Sequence, residues 1–120
     1  MRIRAIRGAI QVDANDTAAI MASTAELVSE VMERNGLTTD QVVSVIFTAT
    51  ADLDAEFPAL AARSIGLQDV PLLCCSEIRV PGALPRVVRL MMHVETTLSR
   101  SGIQHVYLRG AAALRLDIAQ

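Results

Sequence analysis

Leu84-Pro85-Arg86-Val87-Val88-Arg89-Leu90-Met91-Met92-His93-Val94-Glu95-Thr96-Thr97-Leu98 is the stretch on which the fold turns. Leu84, Val87, Val88, Met91 and Leu98 fall on one helical stripe, and periodicity alone slightly favours a helix. The β-branched pair Val87-Val88 and the Pro81-Gly82 turn ahead of it favour a strand that pairs with neighbours. We read the stretch as a strand. It then carries a guanidinium, Arg89, in the middle of an apolar run.

Working outward, residues 2–11 alternate as another strand. Asp13, Asn15 and Asp16 are N-cap candidates for a helix with Ile20, Thr24, Leu27, Val28, Val31 and Met32 on one stripe. Glu26, Glu30 and Glu33 fall mostly off that stripe, and Asn35-Gly36 supplies a left-handed cap. Val42 to Thr50 is a β-rich run, and Asp52-Leu53-Asp54 is a loop. Phe57-Pro58-Ala59 opens a short helix, with Pro in its first turn, that ends near Gly66. Val70 to Cys75 reads as a strand, and His105 to Leu108, continuing through Ala113-Leu114, as a final one. No repeat, low-complexity tract or linker divides the chain, so residues 1–120 are expected to form one α+β domain.

The placement of arginine points to a ligand. All eleven basic residues are Arg and none is Lys. A GC-rich coding bias accounts for the missing Lys, but not for arginines inside apolar runs. Arg7 lies within Arg4-Ala5-Ile6-Arg7-Gly8-Ala9-Ile10, Arg89 within Val87 to Met92, and Arg115 after Ala111-Ala112-Ala113-Leu114. A guanidinium in such a setting needs a partner, because an unpaired buried charge is costly. The main nearby acids are Glu77 and Glu95. An excess of such arginines over carboxylates suggests that the missing anion is a ligand. Planar forks suit carboxylates.

Composition narrows the classes further. Apolar residues make up 52 % of the chain before its six glycines are counted, against roughly 45–50 % with glycine included in a typical soluble domain. Surplus apolar surface on a small domain is often hidden against copies of itself, so a homo-oligomer is expected. Abundant Ala is the plainer source of that surplus. The net charge of −2, with mixed signs and no basic tail, argues against a nucleic-acid partner. No run approaches the ~18 apolar residues of a membrane span, and Met1-Arg2-Ile3-Arg4 is not a signal core. Cys74-Cys75 are adjacent, a poor arrangement for a bridge, which suggests a reduced, cytoplasmic protein.

Five short motifs, in order and at matching spacing, together resemble one family. They are Ile6-Arg7-Gly8-Ala9; Thr48-Ala49-Thr50-Ala51-Asp52-Leu53 with Phe57-Pro58-Ala59 and Ala62-Arg63; Val70-Pro71 with Cys74 and Glu77; Arg89-Leu90-Met91-Met92; and His105-Val106-Tyr107-Leu108 with Leu114-Arg115. Across nearly the whole chain this pattern is similar to the AroH-class chorismate mutases. The resemblance also supports the strand reading of residues 84–98. It implies a mixed five-stranded sheet with one long and one short helix, assembled as a trimeric pseudo-barrel with active sites at subunit interfaces. It implies conversion of chorismate to prephenate by a [3,3] pericyclic rearrangement, in phenylalanine and tyrosine synthesis, with no cofactor, metal or covalent intermediate.

The residue types suit that chemistry. Chorismate carries two carboxylates, an ether oxygen and a ring hydroxyl. By resemblance, Arg89 faces the ether oxygen as its bond breaks, Arg7 clamps a carboxylate aided by Tyr107, and Glu77 accepts the ring hydroxyl with Cys74 beside it. Phe57, Ala59, Arg63, Leu73 and Leu114 are expected as pocket wall or rim, and Arg115 as part of a lid. Plainer roles exist for each. Arg7 could face water at a strand edge, Glu77 could neutralise Arg79 or Arg89, Cys74 could be a small buried hydrophobe, and Tyr107 could pack in the core. Arg63 and Arg115 could be solvated. His93, His105 and Cys75 belong to no metal spacing or nucleophile–base pair and read as structural. Leu60 and Leu73 stand where other members can carry Lys and Thr, which makes the rim less polar, and five residues after Arg115 leave only a short tail. A RidA-type imine or enamine deaminase and a non-catalytic trimeric dicarboxylate binder are the alternatives. The first handles one carboxylate, which the paired arginines disfavour.

Overall fold

The ambiguous stretch is a strand, and it is central. In the computed structural model, which describes residues 1–116 with side chains through Leu114, β4 (Val87–Thr96) lies between β1 (Arg2–Gln11) and β2 (Val42–Ala49), antiparallel to both. β3 (Leu72–Ser76) runs parallel to β2, and β5 (Val106–Leu108) runs parallel to β1, completing the order β3-β2-β4-β1-β5. The alternation of β4 explains the misleading stripe. Val88, Leu90, Met92 and Val94 are buried on one face, while Arg89, Met91, His93 and Glu95 take the other. Packing on both sides of a central strand adds apolar residues that imitate a helical period.

α1 (Thr17–Arg34) covers the first face. Asp16 caps it, accepting from the Ala19 N–H at 2.7 Å. Gly36 adopts φ +61 beyond its end, with the Gly36 N–H on the Glu33 carbonyl and the Leu37 N–H on the Met32 carbonyl. That is the paired closure of a left-handed cap. Ile20, Leu27, Val28 and Val31 pack onto Ile6, Ile10, Leu90 and Met92, each large side chain contributing roughly 1.5–3 kcal/mol. Gly8 permits the close approach, since a Cβ there would lie 3.1 Å from Leu27 and 3.2 Å from Val31. A bulge between Val42 and Ser44 turns Val42 into this core and leaves Val43 exposed. α2 (Pro58–Ser64) links β2 to β3 and packs beside α1.

The end of the chain departs from the sequence reading. The last strand stops at Leu108, and Arg109–Leu116 wind into a 3-10 helix. Arg109 has φ +55, which ends the extended run. The Ala111-Ala112-Ala113 tract favours helix over strand. Gly110 passes so close to Gln11 that a side chain would collide with it. This turn covers one end of the second sheet face, where Ala111 buries Ala9 and Val87, with Leu84, Tyr107 and Leu114 around them.

Candidate active site

Strand register assembles the site on the face that α1 leaves open. Arg89 pairs with Thr48 on one side and Ala9 on the other; Thr48 pairs with Cys75, and Ala9 with Tyr107. These five positions form one row across the sheet. The next row holds Leu73, Ile46, Met91 and Arg7. Arg7 and Arg89 are therefore diagonal neighbours on one face. A cavity of about 300 Å3 lies over them, lined by Arg7, Ala9, Ile46, Thr48, Arg89 and Tyr107 among others.

Glu77 is drawn onto this row from beyond β3. Its N–H bonds the Ala49 carbonyl at 3.0 Å, which extends the β2–β3 pairing past the strand end. Its carboxylate accepts from the Thr48 hydroxyl at 2.6 Å and from Arg89 Nε at 3.0 and 3.2 Å. The Arg89 side chain is 37 % exposed and that of Glu77 only 16 %. Glu77 thus holds Arg89 by its inner nitrogen. Among the described residues, the outer nitrogens Nη1 and Nη2 make no hydrogen bond and remain available to an anion. The guanidinium of Arg7 likewise forms no ion pair among the described residues. Glu77 itself lines a second cavity, of about 320 Å3, together with Thr50–Asp52 and residues of the Ile78–Pro85 segment, and reaches the first through its bonds to Thr48 and Arg89.

Cys74 lies elsewhere than expected. It pairs with Phe47, and its side chain packs against the core under α1, while Cys75 takes the site face beside Thr48. Strand alternation allows only one of two adjacent cysteines on each face. The backbone of Cys74 has a different outlook. The bonds Val45 N–H to Pro71 carbonyl and Glu77 N–H to Ala49 carbonyl bracket the β2–β3 ladder. Leu73 and Cys75 therefore turn their backbone groups inward, and Leu72, Cys74 and Ser76 turn theirs to the free sheet edge.

The remaining expected residues divide. Leu114, like Tyr107, packs against the Ala9, Val87 and Ala111 cluster, but it does not line the cavity. Leu73 is on the open face but at the sheet edge, 58 % exposed. Phe57, Ala59 and Arg63 belong to the α2 region on the opposite layer and do not line the cavity; Ala59 is buried there, Arg63 is exposed and Phe57 is 69 % exposed. The Arg115 side chain lies outside the described residues.

Three contributors escaped sequence reasoning. Thr48 orients Glu77, and its signal was the polar position opposite Phe47 in an apolar strand. Asn35 reaches from the end of α1 to Gln104, donating to its carbonyl at 2.9 Å and accepting from its N–H at 2.8 Å, which fixes the entry to β5. His105 accepts the Arg7 backbone N–H on Nδ1 at 2.9 Å, and burial, then the nearby Arg7 charge, hold its pKa below the ordinary histidine value. His93 meets the Ser44 hydroxyl at 3.3 Å. No group of three His, Cys, Asp or Glu side chains able to hold a metal ion occurs among the described residues, and no helix there is long and apolar enough to cross a membrane.

Known proteins share this architecture. A family model described as chorismate mutase type I matches residues 3–118. Chorismate mutase AroH of Thermus thermophilus is 45 % identical over 117 residues, covering 97 % of this chain and 96 % of that protein. Chorismate mutase AroH of Bacillus subtilis (strain 168) is 39 % identical over 120 residues, covering 99 % and 94 %. The solved structure of a chorismate mutase from Clostridium thermocellum superposes with a TM-score of 0.90 at 49 % identity, covering 92 % of this chain and 98 % of that one.

Proposed function

This chain belongs to the chorismate mutase type I family, and from that premise we propose that its arginine-lined cavity rearranges chorismate to prephenate. The enzyme is an isomerase. In the reaction the ether C–O bond breaks as a new C–C bond forms, and no proton changes place. The protein's task is to hold the substrate compact and to stabilise the charge that grows on the ether oxygen. Arg89 does the second. Its Nε is occupied by Glu77, so the guanidinium presents its outer nitrogens in a fixed plane. A donor aimed at charge that exists only in the transition state lowers the barrier without tightening the ground state.

Glu77 has a double task. Oε2 already accepts from Thr48 and Arg89, and Oε1 only from Arg89. A carboxylate has about four acceptor sites, so Oε1 has room for the ring hydroxyl. Cys74 contributes through its backbone N–H at the β3 edge, since its thiol is directed into the core. Arg7 clamps a substrate carboxylate with help from Tyr107, and Leu114 packs against the same Ala9, Val87 and Ala111 cluster as Tyr107.

The protein works as a homotrimer. Support comes from what one copy leaves open: Ile46, Leu73 and Met91 on the uncovered sheet face, the free β3 edge, and Phe57 beside α2. Phe57, Ala59, Arg63 and Leu73 of a neighbouring copy then close the pocket rim, and Arg115 guards its mouth. No cofactor or metal takes part, and neither nucleic acid nor membrane is a partner. The enzyme serves phenylalanine and tyrosine synthesis in the cytoplasm, where two free cysteines persist.

The observation that carries this reading is the Thr48–Glu77–Arg89 chain with an open arginine end, set in a chain homologous to chorismate mutases throughout. The similar proteins give no support to a RidA-type deaminase or a non-catalytic binder. Incubation with chorismate, followed by its absorbance loss and by acid conversion of the product to phenylpyruvate, tests it. Purified, folded protein that leaves chorismate unchanged would refute it.

A further inference from the structure

We infer that His105 is a positioning residue for Arg7, and that its protonation weakens substrate capture in mildly acidic solution. This rests on the mutase reading above. The β1–β5 ladder begins only at Gly8 opposite Val106. At Arg7, one residue earlier, the bond that a longer β5 would supply comes instead from a side chain: the Arg7 N–H donates to His105 Nδ1 at 2.9 Å. The ring therefore anchors the strand segment that aims the Arg7 guanidinium. It does so from outside the substrate cavity, because His105 lines a separate hollow of about 410 Å3.

A ring nitrogen accepts a hydrogen bond only while it is unprotonated. The bond fixes neutral His105 with its proton on Nε2. The surroundings favour its neutral form. Arg7 and Arg4 face it from β1, His93 from β4, and Arg100 from the turn before β5, while no carboxylate lines the hollow among the described residues. Burial is the larger cause of the lowered pKa, followed by the charge of Arg7. Protonation would set Nδ1–H against the Arg7 N–H, two donors face to face. The ring must then turn away, leaving a half-buried N–H without an acceptor and Arg7 loosened on its strand. The clamp on the ground-state carboxylate suffers, whereas Arg89, held independently by Glu77 and Thr48, does not. The pH effect belongs in KM and not in kcat.

Two variants test this in the intact enzyme with chorismate, from about pH 5 to pH 8. His105→Asn places an acceptor oxygen at the position of Nδ1 and does not titrate. Its KM should stay near that of the unsubstituted protein at neutral pH, and should lose the acid-side rise. His105→Leu removes the acceptor, and its KM should be raised about tenfold at every pH with kcat little changed. Identical KM profiles for the unsubstituted protein and His105→Asn would overturn the inference, as would a KM that falls on acidification. Should His105→Leu not fold, the comparison with His105→Asn still decides. Absence of turnover in the unsubstituted protein at neutral pH would instead strike at the mutase reading itself.

Discussion

Removing Arg89 separates transition-state stabilisation from binding. Arg89→Ala takes away the outer guanidinium nitrogens that the proposed mechanism aims at the breaking ether bond. It leaves the Glu77 carboxylate held by the Thr48 hydroxyl alone, at 2.6 Å. The Arg89 side chain is 37 % exposed, and its bonded partner Glu77 is 16 % exposed. The guanidinium thus reaches from a shielded anchor into the cavity, as a preorganised electrostatic group must. Deleting one such donor costs ~2.7–4 kcal/mol of barrier, or about two to three orders of magnitude in kcat. KM should change far less, because the charge being stabilised is absent from the ground state. Arg89→Lys should recover only part of the loss. An ammonium keeps the charge but cannot bind Glu77 through one nitrogen while presenting two others in the same plane. Steady-state kinetics on the unsubstituted protein and both variants, at one pH and with matched oligomeric state, supplies the numbers. An Arg89→Ala variant with unchanged kcat and raised KM would show that Arg89 only binds, and the Glu77–Arg89 geometry would need another explanation.

Other consequences follow from the same geometry. Arg7→Ala should raise KM about ten- to a hundredfold, the worth of a charge-assisted bond of ~1.5–3 kcal/mol, with a smaller effect on kcat; kinetics on the purified variant checks it. Glu77→Ala should cut turnover about a hundredfold or more while leaving Tm nearly unchanged, because the pair it breaks is partly exposed; activity per folded site, measured beside a melt, would instead be preserved if Glu77 were a structural ion-pair partner only. Light scattering at micromolar concentration should give three times the 12.9 kDa chain mass, and a monomer mass would undermine a site completed by a neighbour. Stability should fall on acidification. His105 binds its proton less readily folded than unfolded, so below about 6.5 the unfolded chain takes up protons first and the native state loses ground until the folded ring also titrates. The Tm drop between about pH 7.5 and pH 5.5 should be smaller in His105→Asn.

The sheet was legible in the sequence wherever alternation had one reading. Residues 2–11 alternate, residues 42–50 are a β-rich run, and the two form β1 and β2 almost to their limits. Asp16 and Asn35-Gly36 bound α1 as their chemistry dictates. Legibility failed where a residue's meaning depends on a distant strand. Cys74 and Cys75 differ in function only through which of them pairs with Phe47, and that register is set by the β2–β3 ladder rather than by local pattern. His105 reads as structural, but what it holds stays hidden, because its partner is a backbone N–H 98 positions away, which no side-chain motif records. The Ala111-Ala112-Ala113 run suggested continued strand from apolarity alone, when its propensity already pointed to a helical turn.

The harder limit is geometric, and it bears on how the site works. Arg7, Glu77, Arg89 and Tyr107 share the open face, whereas Phe57, Ala59 and Arg63 belong to the layer that includes α1 and α2. A sheet separates the two sets, and layers packed on a sheet stand about 10 Å from it. No side-chain rotation within one copy brings Phe57 across that distance to Arg89. If both sets act on one substrate molecule, they come from different copies, and sequence order alone cannot reveal it. The exposure of Phe57 and Leu73 then has a physical reason: each is apolar surface left for a neighbour. On the proposed trimeric arrangement the Thr48–Glu77–Arg89 chain is complete within one subunit, while the apolar wall is not. On that arrangement, weakening the subunit interface should loosen substrate confinement before it disturbs Arg89, which Glu77 and Thr48 hold from within one copy.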